Sequence, residues 1–235
     1  MSPDILHLRN YSGIITVGEN GVIDTDASPE ELRAYSERLK RDRRITGVLI
    51  PKDCLKKRVS AMAGEIARDY PADKPLHVVV VLTGAIFFAA DLSRELYDRA
   101  GITARLHLIK TSVYNDTIKK PDEFYRAVKL EHAPKDIEGE DILVIEDILD
   151  QGFTLTWLKK YLLLERKVSS ARICCLLDKI LKSPSPEISK MREQLRIDYT
   201  GFRIPDLWVA GYGVDAAQDL RNLPCIASVN EFLYR

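Results

Sequence analysis

Residues 141–154 (DILVIEDILDQGFT) limit the folds open to this chain more than any other stretch. Ile142 to Ile145 form an unbroken aliphatic run, as expected of a strand buried on both faces in a parallel sheet. Glu146, Asp147 and Asp150 follow where such a strand would emerge, Gly152 permits a sharp turn, and Thr154 opens the helical pattern TLTWLKKYLLLERK. A strand, a turn and a helix start in that order gather free backbone N–H groups and the positive end of a helix dipole at one point, which suits an anion. Three carboxylates would repel a bare phosphate. The ligand should therefore also carry hydroxyls that donate to carboxylates, or bring a divalent cation. A ribose phosphate with magnesium does both.

The flanking sequence repeats the strand–turn–helix theme. His77 to Leu82 (HVVVVL) is a buried strand, Thr83-Gly84-Ala85 a turn, and FFAADLSRELYDRA a helix stopped by Gly101. Thr103 to Lys110 is the next expected strand, 154–167 a helix, and Ala171 to Asp178 a further strand. Upstream, Ser28-Pro29-Glu30-Glu31 starts a helix expected to run to about Arg43, and a second spans Lys52 to Tyr70 before Pro71. Residues 1–27 read as a small hairpin or irregular arm. Alternating strands and helices imply right-handed crossovers and an α/β, mainly parallel sheet flanked by helices, with ligands beyond the C-terminal strand ends. Between Lys110 and Asp141 the chain is too polar for core; 112–124 is expected to form a lid and part of 125–131 a returning β-ribbon.

The 235 residues suffice for one sizeable domain with an appendage. Basic and acidic residues balance at 35 each, so no bulk charge recruits nucleic acid or an anionic membrane. No apolar run approaches the roughly 20 residues of a membrane span, and the N-terminus lacks the basic and apolar regions of a signal peptide. A cytoplasmic location is the expectation. Cys54, Cys174, Cys175 and Cys225 show no C-x-x-C spacing and read as reduced core residues.

The stretch Val144-Ile145-Glu146-Asp147-Ile148-Leu149-Asp150, with Gly152 and Thr154 behind it, resembles the phosphoribosyl pyrophosphate motif of the type I phosphoribosyltransferases, most closely the hypoxanthine-guanine branch. A second segment, GFRIPDLWVAGYGVDAAQDLR from Gly201 to Arg221, resembles the base-binding segment of the same branch. The resemblance spans roughly residues 50–228. It implies that fold, with a small hood built from 1–50 and 181–235 over a core domain at 51–180, and it implies a homodimer or homotetramer.

The resemblance also implies roles. Asp150 would be the catalytic base, and Glu146 and Asp147 would hold the ribose hydroxyls or the Mg2+ shell. Gln151, Gly152, Phe153 and Thr154 would hold the 5'-phosphate. Thr83 and Gly84 of the turn Leu82-Thr83-Gly84-Ala85 would cradle pyrophosphate, often in this family through a non-proline cis bond before the second of those four residues, aided by Arg221, Ser112 and Tyr114. Lys179 would bond the purine 6-oxo group, Trp208 stack on the base, Val209 meet it through its backbone, and Asp215 take a second magnesium through water. Several positions depart from the family: Thr83 stands where many members carry Lys or Arg, Gln151 where Thr is common, Phe153 where a basic residue is common, and Val113 interrupts the lid's usual Ser-Tyr pair. The implied reaction joins the ribosyl phosphate of phosphoribosyl pyrophosphate to N9 of hypoxanthine, guanine or xanthine. Two other readings are a nucleotide-sensing regulator on the same fold and an unrelated phosphate-binding hydrolase; the sequence contains neither a G-x-x-x-x-G-K-[ST] loop nor a G-x-S-x-G turn.

Overall fold

The computed structural model describes residues 11–19, 21, 28–113 and 128–233, so Tyr114 and most of the expected lid lie outside the described residues. Among the described residues the first strand, β1 (Ile15–Thr16), pairs with β8 and not with another part of the arm. It adds in parallel to the edge of the main sheet, Ile15 opposite Phe202. Helix α1 (Pro29–Leu39) starts at the expected cap, with Ser28 and Glu31 bonding reciprocally to each other's backbone, but ends at Leu39 rather than near Arg43. The chain then forms β2 (Ile45–Ile50), a strand not expected from sequence because Gly47 interrupts its apolar run.

Three strand–helix units follow. Helix α2 (Lys52–Ala67) precedes β3 (Leu76–Leu82), α3 (Ile86–Ala100) and β4 (Ala104–Val113). Gly101 closes α3 in the left-handed conformation. Strand β5 (Val128–Glu131) returns antiparallel to β4, Ser112 opposite Lys129, as the expected ribbon should. The acidic stretch forms β6 (Asp141–Leu149) and α4 (Phe153–Lys160), which continues into a wider π turn at Tyr161–Glu165. After β7 (Ser170–Ile180) come α5 (Pro186–Gln194), β8 (Tyr199–Pro205), β9 (Val209–Ala210) and β10 (Ile226–Val229).

The main sheet has the order β1-β8-β7-β6-β3-β4-β5, parallel except for β5. A second sheet, β2-β10-β9, is antiparallel and joins the N-terminal and C-terminal parts of the chain. Alternate residues of the central strands feed two cores. Val78, Val80, Leu143 and Ile145 pack with Phe88, Leu92 and Met62 of α3 and α2, while Val79, Val144 and Ile173 pack with Leu155 and Leu158 of α4. Each fully buried aliphatic side chain contributes about 1.5–3 kcal/mol. All four cysteines are buried thiols outside any disulfide.

One charge lies deep in the first core. Arg58 of α2 is fully buried and bonds Glu65 at 2.6 Å, the carbonyls of Thr200 and Gly201 at 2.9 and 3.1 Å, and that of Tyr11 at 2.8 Å. Because its donors are satisfied, the buried guanidinium ties α2 to β8 and to the N-terminal arm instead of destabilising the core.

Candidate active site

β6 is paired on both sides, with β3 as far as Ile145 and with β7 as far as Leu149, opposite Asp178. The ladder therefore outlasts the aliphatic run, and Glu146 and Asp147 lie inside the strand instead of beyond its end, each only 8% exposed. The same holds for Lys179, which is expected after β7 and instead lies within it, because β7 pairs with β8 through Ile180. Long ladders carry polar side chains into the sheet at its C-terminal edge, where a cleft receives them.

That cleft has a volume of about 340 Å³ and is lined by Thr83, Gly84, Thr111, Glu146, Asp147, Asp150, Gly152, Thr154, Asp215 and Arg221 among others. The Leu82–Thr83 peptide is cis. Close approach dictates glycine at two points. A Cβ on Gly84 would lie 1.9 Å from the Asp147 carboxylate, and one on Gly213 would lie 1.8 Å from the Gly84 carbonyl oxygen. The turn after β3, the acids of β6 and the loop before β10 are thus stacked in direct contact. Gly152, with φ 91°, turns the chain into α4 without any side-chain cap, so first-turn amides that no helix satisfies internally remain for a ligand.

Burial pushes the Glu146 carboxyl well above the usual carboxylate range, and the adjacent Asp147 charge pushes the same way. Burial also raises Asp147, opposed by its hydrogen bond with Glu146 and by the charge of Arg221. Among the described residues no three His, Cys, Asp or Glu side chains form a ready-made metal cage. Two desolvated carboxylates beside an open cleft do fit a hard cation that keeps several waters and completes its shell with substrate phosphates.

The remaining residues divide. Arg221 bonds Asp215 at 2.8 Å and the Gly213 carbonyl at 2.8 Å, and Asp215 also accepts from the Gln218 amide at 2.8 Å. Gln151 is exposed and Phe153 packs against the second core, so neither side chain lines the cleft; each can offer its backbone amide. Ser112 lies in β4 opposite Lys129. Lys179, Trp208 and Val209 stand outside the cleft lining but are joined to it, since the Lys179 ammonium lies 3.2 Å from Asp150. Trp208 is 44% exposed. Its carbonyl accepts from the Val229 amide at 2.9 Å, which makes Trp208 a hydrogen-bonded partner of β10. Val209, the next residue of an antiparallel edge strand, then directs its own N–H and C=O away from β10, toward whatever adjoins that edge.

Several residues here were not singled out from sequence. Thr111 lines the cleft from β4, and Asp206 reaches Lys179 at 3.7 Å. Asp206 belongs to the Pro-Asp turn, a signal that marks the turn but not its ion pair. Arg192 of α5 bonds the Leu149 and Asp150 carbonyls and Asp178. Ser185-Pro186-Glu187, the same start signature as at Ser28, could have revealed its helix.

The family model of the phosphoribosyl transferase domain matches residues 52–217. The hypoxanthine-guanine phosphoribosyltransferase of Bacillus subtilis is 34% identical over 190 residues, 81% of this chain and 96% of that protein. The hypoxanthine-guanine-xanthine phosphoribosyltransferase of Tritrichomonas foetus is 34% identical over 190 residues, 80% of this chain and 93% of its own length. A solved structure of Trypanosoma cruzi hypoxanthine phosphoribosyl transferase superposes with a TM-score of 0.68 at 27% identity, covering 81% of this chain and 94% of that one. The strand–turn–helix cleft and these matches lead to one conclusion: the chain belongs to the phosphoribosyl transferase family, in its hypoxanthine-guanine branch.

Proposed function

We propose that this protein transfers the ribosyl phosphate of phosphoribosyl pyrophosphate to N9 of hypoxanthine or guanine, giving the nucleoside monophosphate and pyrophosphate, with xanthine as a third base to be tested. The observation that carries this reading is the continuity of two ends: a cleft holding Thr83, Gly84, the β6 acids, Gly152, Thr154 and Arg221, whose Asp150 lies 3.2 Å from Lys179. The main sheet, centred on 51–180 and completed by β8 and β1, then holds the sugar phosphate with Arg221, and a hood from the N- and C-terminal segments holds the base with Lys179.

In the reaction the C1'–oxygen bond to pyrophosphate breaks and a C1'–N9 bond forms. Amides of residues 151–154 and the Thr154 hydroxyl hold the 5'-phosphate, and Glu146 and Asp147 accept from the ribose hydroxyls. Amides at Thr83 and Gly84, with Arg221, steady the leaving pyrophosphate where negative charge grows. Asp150 takes the ring proton from the purine as general base. Lys179, a donor with no acceptor capacity, favours a 6-oxo over a 6-amino purine, and Trp208 offers a flat face to the ring. Glu146, Asp147 and Asp215 are the residues that would hold Mg2+, which when bound neutralises the pyrophosphate charge. A lid including Ser112 and Tyr114, closing over the site, would keep water from the activated sugar. A cytoplasmic homodimer or homotetramer is part of the same reading; among the described residues no helix is long and apolar enough to cross a membrane.

A pyrophosphate-release assay with phosphoribosyl pyrophosphate, Mg2+ and each of hypoxanthine, guanine, xanthine and adenine tests this. Release with the 6-oxopurines and little with adenine is expected. No release with any base would leave the regulator reading standing, and release without any base would favour a hydrolase.

A further inference from the structure

Helix α5 buries no residue within Pro186–Gln194, and its C-cap Leu195 enters the second core. One of its side chains does reach the active site's backbone. The guanidinium of Arg192 donates to the carbonyls of Leu149, at 3.3 Å, and of Asp150, and pairs with Asp178. Its stem passes over the turn: a Cβ on Gly152 would lie 3.5 Å from Arg192 Cγ, in ordinary contact. Asp178 is itself nearly buried and is also met by Arg203 at 3.3 Å, so the clamp is anchored on β7 and β8.

The carbonyls that Arg192 engages belong to the last residue of β6 and to the first residue of the turn that carries Asp150 and leads into α4. A planar fork can hold two carbonyls and a carboxylate together; a lysine ammonium or an apolar side chain cannot reproduce that geometry. Leu149 and Leu195 pack on Gly152 and Lys179 pairs with the Asp150 side chain, but Gly152 makes no side-chain cap and Gln151 is exposed, so Arg192 is the side chain that holds the carbonyls of Leu149 and Asp150.

We propose that Arg192 is a positioning residue: it fixes the Leu149–Gly152 main chain from outside the cleft, so that the α4 amides and the Asp150 carboxylate are set before phosphoribosyl pyrophosphate arrives. This rests on the transferase reading above. Pre-setting the amides removes an ordering cost from donor binding, so the effect falls on the donor and not on the purine.

The test compares wild type, Arg192→Met and Arg192→Lys. Arg192→Met keeps the stem over Gly152 and removes the fork. It should raise KM for phosphoribosyl pyrophosphate about tenfold, the scale of one lost charge-assisted hydrogen bond, and leave KM for hypoxanthine within about twofold. Arg192→Lys should recover part of the loss. Amide hydrogen exchange on the ligand-free proteins reads the clamp without turnover: residues 150–155 should exchange faster in Arg192→Met while the core strands keep their protection, with a melting temperature lowered by only a few degrees because Arg203 still meets Asp178. Unchanged exchange in that segment overturns the clamp, as does an equal rise in both KM values. A wild type without turnover, but with the expected exchange difference, would instead overturn the transferase reading and leave the clamp intact.

Discussion

The proposed phosphate end and the proposed base end of this site are built by opposite means. At the phosphate end, Glu146 and Asp147 sit on a central strand, just past its pairing with β3 and still within its ladder with β7, almost without solvent, and the Gly84 turn touches Asp147. At the base end, Trp208 is 44% exposed beside a two-residue strand at the edge of a three-stranded sheet that is seated on the first core through Leu49, Ile50, Val209 and Ile226. Charges that must be held in fixed positions need a rigid frame that resists their repulsion. A stacking face needs only area, and an exposed ring beside the edge strand of a small sheet can supply it. The two ends meet at Gly213 against Gly84, and through the Asp150–Lys179 pair.

The largest effect should come from the group that links them chemically. Asp150→Asn should cut turnover by about two to four orders of magnitude, while calorimetry finds donor binding little changed. Near-normal turnover would remove Asp150 from the base role.

Gly213→Ala attacks the physical contact. Its Cβ would meet the Gly84 carbonyl at 1.8 Å from a backbone with φ 107°, so the hood must lift or the turn must move. A loss of about 2–4 kcal/mol in denaturant unfolding is expected, with weakened use of both substrates. If only the base were affected, the hood would be less firmly seated on the pyrophosphate turn than this geometry requires.

Trp208→Ala should separate the two ends. Its KM for hypoxanthine should rise about tenfold, the scale of a lost stacking face, with KM for phosphoribosyl pyrophosphate within about twofold. Equal rises in both would show that this ring also shapes the phosphate end.

The smallest effect is a pH dependence confined to the buried acids. Burial raises Glu146 above its ordinary 4.5, so the folded state binds that proton more tightly than the unfolded chain does. The stabilisation is therefore fully present below 4.5 and is lost as pH rises through the raised folded value. Glu146→Gln removes this group, so its gain in melting temperature over wild type, measured ligand-free, should be larger at pH 8 than at pH 5, by a few degrees at about 1 kcal/mol. A gain that did not depend on pH would mean that the pair is not strained by its burial.

Much of this was legible from the chain. The run Ile142–Ile145 announces a central parallel strand, and Ser28, Gly101 and the turn at Thr83–Gly84 mark element ends through local chemistry that does not depend on the rest of the fold. The strands β2 and β8 were not legible, because Gly47 and Arg203 break their apolar pattern and only partner strands reveal them. Thr111, Asp206 and Arg192 were missed for a similar reason. Each acts on residues far away in sequence, and nothing in its immediate neighbours marks that contact.

By itself, then, the sequence determined the α/β alternation, the order of the chemistry-bearing segments and the kind of ligand an acid-rich strand end before a helix can take. Those follow from periodicity, turn chemistry and dipoles, which act over a few residues. Only the tertiary structure decided how far the β6 and β7 ladders run, and hence that Glu146, Asp147 and Lys179 are nearly desolvated. It also decided that Gly213 closes on Gly84 and that an arginine from a surface helix grips the catalytic turn. Desolvation and close approach are properties of what surrounds a residue, and those surroundings are assembled from segments that only the fold brings together.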